Sequence, residues 1–144
     1  MQIIKIYTDG GCRGNPGIGG WGALLKMGEH QKVIKGNSKE TTNNRMELTA
    51  AIEGLNALTK PCHVVLTTDS RYVQDGITKW MANWKKNNWK TAAKKPVKNK
   101  DLWQELEKAV EQHTVEWAWV KGHAGHTENE IVDDLANQAM DELQ

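Results

Sequence analysis

The sequence predicts a single α/β domain, and three observations carry that expectation. Three segments with β-strand composition follow one another at the N-terminal end, at the spacing of an antiparallel meander. Amphipathic helical segments then alternate with two further strands. The length, 144 residues, suits one domain with one core, and the domain is expected to span residues 1–144.

The first strand is Ile3-Ile4-Lys5-Ile6-Tyr7-Thr8-Asp9, rich in branched and aromatic residues and stopped by Gly10 and Gly11. Its pattern recurs as Val64-Val65-Leu66-Thr67-Thr68-Asp69-Ser70, again an apolar run leading through Thr to Asp. If the two strands are neighbours, Asp9 and Asp69 emerge side by side. Two like charges at that distance repel and call for compensation, which a divalent cation supplies. Taken singly, each Asp also has an ordinary reading as a strand-end or helix-capping residue. The glycine-rich run 10–20 lacks the Gly-Lys-Ser/Thr ending of a phosphate-binding loop and leads into another strand, so it reads as a hairpin connection. Strands at about 20–28 and 31–40 complete the meander.

A helix follows to about Leu58, with Asn44 and Glu47 at capping-box spacing. Leu48, Ala51, Ile52, Leu55 and Leu58 form its apolar stripe. Glu47 falls at the stripe's edge and Glu53 opposite it. A core-facing Glu needs a partner or a metal, although Glu47 also fits a pure capping role. After Asp69 a helix begins near Ser70 and carries Tyr72, Val73 and Ile77. It runs into Lys79-Trp80-Met81-Ala82-Asn83-Trp84-Lys85-Lys86-Asn87-Asn88-Trp89-Lys90, with Trp80 and Trp84 on one helical face. Pro96 and its lysines make a loop, and Asp101 with Gln104 opens a helix to about His113 in a second capping-box pattern. Val115–Val120 alternates as a fifth strand. Lys121–His126 is a loop with two histidines, without the further ligands a zinc site needs. Thr127–Glu130 caps the last helix, whose buried arc is Ile131, Val132, Leu135, Ala136, Ala139 and Met140. Asp133 lies at the margin of that arc and Asp134 points away.

The net charge of +1 hides a strong segregation. Residues 76–100 hold eight Lys and no acid, whereas residues 101–144 hold eleven acids against Lys108 and Lys121. Lysines interleaved with tryptophans suit an anionic polymer that also offers flat surfaces, namely nucleic acid. The ordinary reading is a solvated Lys face over structural tryptophans; a basic membrane-surface helix is disfavoured by the scarcity of long aliphatic residues. With no leader, no membrane-length apolar run and two isolated cysteines, a cytoplasmic, soluble protein is expected; Cys62 is expected in the core.

Asp9, Glu47, Asp69 and Asp133 can then form one carboxylate cluster. An all-oxygen site suits Mg²⁺ or Mn²⁺ rather than zinc or copper. Two such ions about 4 Å apart activate water and stabilise the leaving oxygen of a phosphodiester. A histidine of the 121–126 loop near such a cluster is well placed to carry protons. With a basic block to hold the polymer, a metal-dependent nuclease is the expected chemistry.

Asp-Gly-Gly-Cys-x-Gly-Asn-Pro-Gly, Thr-Thr-Asn-Asn-Arg-Met-Glu-Leu, Thr-Asp-Ser, Asn-Trp-Lys-Lys and Trp-Val-Lys-Gly-His-Ala-Gly-His together closely resemble the bacterial type 1 ribonucleases H, over essentially Ile3 to Met140. The resemblance implies a ribonuclease H-like domain: a five-stranded mixed sheet of order 3-2-1-4-5 with helices on both faces, and a basic protrusion at about 79–100. It implies endonucleolytic hydrolysis of the RNA strand of RNA·DNA hybrids with Mg²⁺, leaving 3′-hydroxyl and 5′-phosphate ends, and a role in removing RNA primers and hybrids. The implied metal-binding and catalytic acids are Asp9, Glu47, Asp69 and Asp133, with His123 assisting proton transfer or product release. Cys12, Asn43 and Asn44 match groove residues near the RNA strand. Asn15, Thr42 and Arg45 match contacts to DNA-strand phosphate. Trp80 and Trp84 match residues beside deoxyribose, within a basic protrusion that includes Lys85, Lys86, Trp89 and Lys90.

Position 71 departs from the pattern. Arg71 stands where close relatives often carry Gln, which turns a base-edge contact into a phosphate contact. The chain also stops soon after the last helix, without the longer tail of some relatives, and no amino-terminal hybrid-binding module is expected before strand one. A monomer with no obligatory protein partner is expected. Two rival functions are another nuclease or strand-transfer enzyme on the same fold, which would lack the basic protrusion, and a hybrid-binding module, which would lack an acid. A structural adaptor leaves Glu47 and the repeated Thr-Asp unexplained.

Overall fold

A computed structural model describes residues 3–120 and 127–144. Its centre is a five-stranded sheet in the order β3-β2-β1-β4-β5. β1 (Ile3–Arg13), β2 (Gly17–Met27) and β3 (His30–Thr41) form the antiparallel meander. β4 (His63–Thr68) and β5 (Thr114–Trp119) add in parallel on the other side of β1. The expected order and mixed character of the sheet are observed. One expectation fails: Gly10 and Gly11 do not stop β1. The strand continues to Arg13, paired with Ile18–Gly22, so Asp9 lies within β1 and the hairpin tip is confined to Gly14–Pro16. Backbone hydrogen bonds to a long partner outweigh the weak strand preference of glycine.

α1 (Asn43–Asn56) and α4 (Lys100–Glu111) lie on one face, and α5 (Thr127–Asp141) on the other. The core on the α1 side is built from Ile4, Ile6, Leu48, Ile52, Leu55, Val64, Leu66, Trp103 and Leu106. α5 sits directly on β2. A Cβ at Gly22 would stand 2.9 Å from the Val132 carbonyl oxygen and 2.6 Å from Leu135 Cβ, so glycine there sets how closely α5 approaches. Gly22 is the cross-strand partner of Asp9, and that close approach brings α5 up beside Asp9.

Both expected capping boxes are corrected. α1 is capped by Thr42, whose hydroxyl accepts the Arg45 N–H at 3.3 Å; Asn44 is already inside the helix. Thr42→Ala is expected to cost about 1 kcal/mol in denaturant unfolding. α4 follows Asn99, which is left-handed at φ 60° and makes no side-chain cap; Asp101 turns away to Arg45. Asn tolerates that conformation better than most residues.

After Ser70, which accepts the Val73 N–H, the expected single helix is broken into three pieces: α2 (Arg71–Asp75), a π-helical turn (Gly76–Trp80) and α3 (Met81–Lys86). The wide turn is seated against Trp103. A Cβ at Gly76 would fall 1.9 Å from the indole, so no other residue fits without moving it. Trp80 and Trp84 still meet, with ring centroids 5.7 Å apart. Cys62 is half-buried rather than in the core, and its thiol donates to the Lys60 carbonyl. On α5, Ile131 and Leu135 are only half-buried, whereas polar Asn129 is buried.

Candidate active site

Three elements deliver three acids to one place. Asp9 comes from β1, Glu47 from the first turns of α1, and Asp69 from the residue after β4. One oxygen from each lies within 4.8 Å of the others. Asp9 and Glu47 are only 5% and 6% exposed, which takes two carboxylates largely out of water. The convergence depends on Gly10. A Cβ there would stand 2.5 Å from the Glu47 nitrogen, so the missing side chain lets α1 touch β1. The Gly10 N–H offers a hydrogen bond to the carboxylates of both Asp9 and Glu47.

The electrostatics follow from burial. Desolvation is the largest cause pushing Asp9 up to about 8, reinforced by the charge of Asp69 and by a hydrogen bond and charge from Asp133. Burial also raises Glu47 well above the usual carboxylate range, aided by Asp9 and Asp69. Asp133, half-buried on α5, therefore joins the cluster through Asp9, while Asp134 is exposed. Glu47 Oε1 is buried and has no hydrogen-bond partner among the described residues. An orphaned buried oxygen among oxygen-only donors is what a hard divalent cation fits, and the donor set suits magnesium or manganese.

Three adjoining hollows surround these acids. A cleft of about 490 Å³ is lined by Asp9, Asn43, Asn44, Glu47, Asp69 and Arg71 among others. It shares Asp9, Gly10 and Asn43 with a second hollow that reaches Cys12, Arg13 and Asp133. On the other side it shares Asp69 and Arg71 with a third, toward Lys79 and Trp119. The Asn15 side chain accepts the Asn43 N–H at 3.1 Å, tying the hairpin tip to the mouth of the cleft. The Cys12 thiol donates to the Thr41 carbonyl at 3.2 Å, which anchors β1 to the end of β3.

The remaining expected binding residues divide by how they are held. Arg45 makes a two-pronged pair with Asp101, at 3.1 and 2.8 Å, and also donates to Asn99 Oδ1. That guanidinium holds the Asp101 carboxyl below its usual range. Lys85 pairs with Glu107 of α4 at 2.7 Å. Lys86 and Lys90 are exposed and make no ion pair among the described residues. Trp80, Trp84 and Trp89 are half-buried. Trp84 packs between Trp80, Trp89 and the fully buried Trp103, so the aromatic side of the basic block is first a structural cluster. The basic charges ride on that rigid support. His123 lies outside the described residues.

Two participants carry no site signal in the sequence. The Gly10 N–H is a backbone group, which no side chain announces. Tyr72 reads along the chain only as an apolar helix residue; its hydroxyl accepts from Asn99 Nδ2 and Trp103 Nε1, each at 3.0 Å, and it lines the cleft. With Arg45 and Asp101 these groups form one polar chain from α1 to α4.

The sequence model of the RNase H family matches residues 1–141. The chain is 73% identical to the Ribonuclease H of Hydrogenovibrio crunogenus over 143 residues, covering 99% of each protein. It is 63% identical to the Ribonuclease H of Alcanivorax borkumensis, covering 99% of this chain and 95% of that one. Among solved structures it resembles LC9-RNase H1, a type 1 RNase H with the type 2 active-site motif. The TM-score is 0.89 at 37% identity, over 99% of this chain and 74% of the other.

Proposed function

The chain belongs to the RNase H family, and from that premise we propose that Asp9, Glu47, Asp69 and Asp133 are its catalytic and metal-holding residues. It is an enzyme that hydrolyses the RNA strand of RNA·DNA hybrids, with divalent-metal dependence. Mg²⁺ is the proposed ion, with Mn²⁺ as a substitute, because both prefer oxygen donors. The observation that carries the assignment is three carboxylate oxygens within 4.8 Å of one another on two buried residues and one half-buried one. A bound divalent cation offsets that charge density once the protons are gone.

With two ions bound, the chemistry supplied is activation of an attacking water and neutralisation of the leaving 3′-oxygen, which yields 3′-hydroxyl and 5′-phosphate ends. The protein's own groups do the positioning. Gly10 N–H keeps the Asp9 and Glu47 carboxylates turned toward each other. Asn43, Asn44 and the strand backbone at Cys12 line the path of the RNA strand, where 2′-hydroxyls tell RNA from DNA. Asn15, Thr42 and Arg45 meet phosphate of the DNA strand. Arg45 is already engaged by Asp101 and Asn99, so reaching phosphate requires it to share or exchange those partners. Trp80, Trp84, Trp89, Lys85, Lys86 and Lys90 hold the hybrid at the basic protrusion. His123 takes the proton-transfer role at the leaving group, and the cell uses the reaction to remove RNA primers and hybrids.

The deciding assay uses labelled RNA·DNA, RNA·RNA, DNA·DNA and single-stranded RNA, with Mg²⁺ or with EDTA. Cutting of the RNA strand of the hybrid alone, lost in EDTA, is expected. Binding of the hybrid without cutting would make the protein a binding module. Replacing Lys85, Lys86 and Lys90 together by Gln is expected to raise KM and to reduce the salt slope of hybrid binding by about one for each phosphate left unneutralised. Lys85 should contribute least, since it must exchange Glu107 for phosphate. An unchanged slope would remove this block from the binding surface.

No helix among the described residues is long and apolar enough to cross a membrane, and both thiols are free. We assign the enzyme to the cytoplasm as a monomer, which a solution mass measurement tests.

A further inference from the structure

Arg13 has no role in the reading above, although it stands on β1 between Cys12 and Asn15. It occupies the open position of the Asp-Gly-Gly-Cys-x-Gly-Asn-Pro-Gly run. Its guanidinium is turned toward α5 and spans one turn of that helix. One nitrogen pairs with Asp141 at 2.7 Å and also donates to the Gln144 side chain. The other donates to the Asn137 carbonyl at 3.3 Å and to Asn137 Oδ1 at 3.4 Å. Asn137 in turn donates from Nδ2 to the backbone carbonyl of Asp133 at 3.1 Å. A continuous polar chain therefore runs from Arg13, a few residues beyond Asp9 on β1, to the turn of α5 that carries Asp133. Arg13, Asn137, Asp9 and Asp133 line one hollow.

The chain has a direction. Because a guanidinium only donates, it fixes the Asn137 amide with its oxygen toward β1 and its nitrogen toward Asp133; a flipped amide would set donors against donors. α5 also needs such a tie. It rests on Gly20 and Gly22, which let the helix approach β2 but present no side chains to interlock with it. Position along the helix axis then falls to the polar groups at the seam. Lys26 holds Glu128 at 3.1 Å at the start of α5, and Lys35 holds Glu142 at 2.8 Å just past its end. Asn37 donates to the Ala139 carbonyl at 2.8 Å. Arg13 differs from these in two ways: it comes from the strand that bears Asp9, and it reaches the Asp133 turn.

We propose that Arg13 is a positioning residue for hybrid cleavage, which through Asn137 keeps Asp133 in register with Asp9. The proposal rests on the carboxylate assignment above and adds a member outside the cluster. Asp133 comes from the opposite face of the sheet to Glu47, so its place relative to Asp9 depends on how α5 is seated. A shift of α5 along its axis would separate the two carboxylates without unfolding either element, and small misplacements of reacting groups are costly in rate.

The test compares Arg13→Ala with Lys35→Gln, which removes an ion pair of similar exposure from the same end of α5. Both variants are expected to fold, with thermal midpoints within about 4 °C of wild type, because exposed ion pairs contribute little. Arg13→Ala is expected to lower kcat on the hybrid by about five- to tenfold, with KM and the salt slope unchanged. It should also weaken Mn²⁺ binding to the substrate-free protein, by about threefold in a calorimetric titration. Lys35→Gln should leave kcat and Mn²⁺ affinity at the wild-type values. Arg13→Lys keeps the charge but not the fork and should not restore kcat; full restoration would reduce Arg13 to a surface charge. Asn137→Ala should match Arg13→Ala, and the double variant should lose no more than either, because the two act in series. Additive losses would overturn the route through Asn137. A raised KM with a salt slope lower by about 1 would make Arg13 a phosphate contact and overturn the positioning role. So would a kcat and Mn²⁺ affinity equal to those of Lys35→Gln. Failure of the wild type to cut the hybrid would instead overturn the function on which the proposal rests.

Discussion

Asp9→Asn is expected to lower kcat by about 1000-fold or more while leaving hybrid affinity nearly intact, because the carboxylate cluster and the basic block are separate parts of the surface. The same substitution should stabilise the metal-free protein. The Asp9 carboxyl is raised from 3.8 to about 8 by burial and by Asp69 and Asp133. Between those values the folded protein keeps a proton that the unfolded chain has released, so the wild type loses stability as pH rises through that window. Asn carries no such charge. At pH 7 to 8 without metal, Asp9→Asn should therefore unfold at higher denaturant, by about 2–4 kcal/mol. Added Mg²⁺ should narrow the gap by stabilising only the wild type to a useful degree. Equal stability in EDTA at pH 5 and pH 8 would contradict the electrostatic picture, and a fully active variant would contradict the site itself.

Gly10→Ala is the second large effect, and it separates packing from charge. The new methyl would lie 2.5 Å from both the Met46 carbonyl carbon and the Glu47 nitrogen, and 2.7 Å from the Met46 oxygen. All three are backbone atoms, so nothing can rotate away and α1 must move off β1. A cost of about 2–4 kcal/mol is expected in equilibrium unfolding. Activity should fall further than that loss explains, because displacing α1 carries Glu47 away from Asp9 and Asp69. Metal titration followed by calorimetry or by thermal shift checks this directly. Retained metal affinity in a destabilised variant would show that Gly10 matters for packing alone.

These two residues mark what can and cannot be read along the chain. Glu47 is legible because helical periodicity puts it at the edge of the apolar stripe, and the repeated Thr-Asp phrase singles out Asp9 and Asp69. The wheel also separates Asp133 from Asp134, which the structure finds half-buried and exposed. The caps are not legible in the same way, for a physical reason. Several Asn, Thr and Asp residues near each helix start could all serve, and the choice falls to whichever side chain is left without a tertiary partner. Asp101 is claimed by Arg45, which is 56 residues away in sequence.

Gly10 shows the same division from the other side. A pair of glycines reads as the end of a strand, and local preference supports no other reading. The strand continues because β2 supplies partners through Arg13, and glycine is required because α1 presses against it. Periodicity, composition and charge therefore determined the element types, the acids that converge and the basic block that serves them, since each is a property of neighbouring residues. The long β1–β2 ribbon, the π-helical turn against Trp103, and the pairing of Arg45 and Lys85 with α4 were decided by tertiary structure. Each depends on which distant group arrives first at a given atom, and no local pattern along a chain encodes that distance.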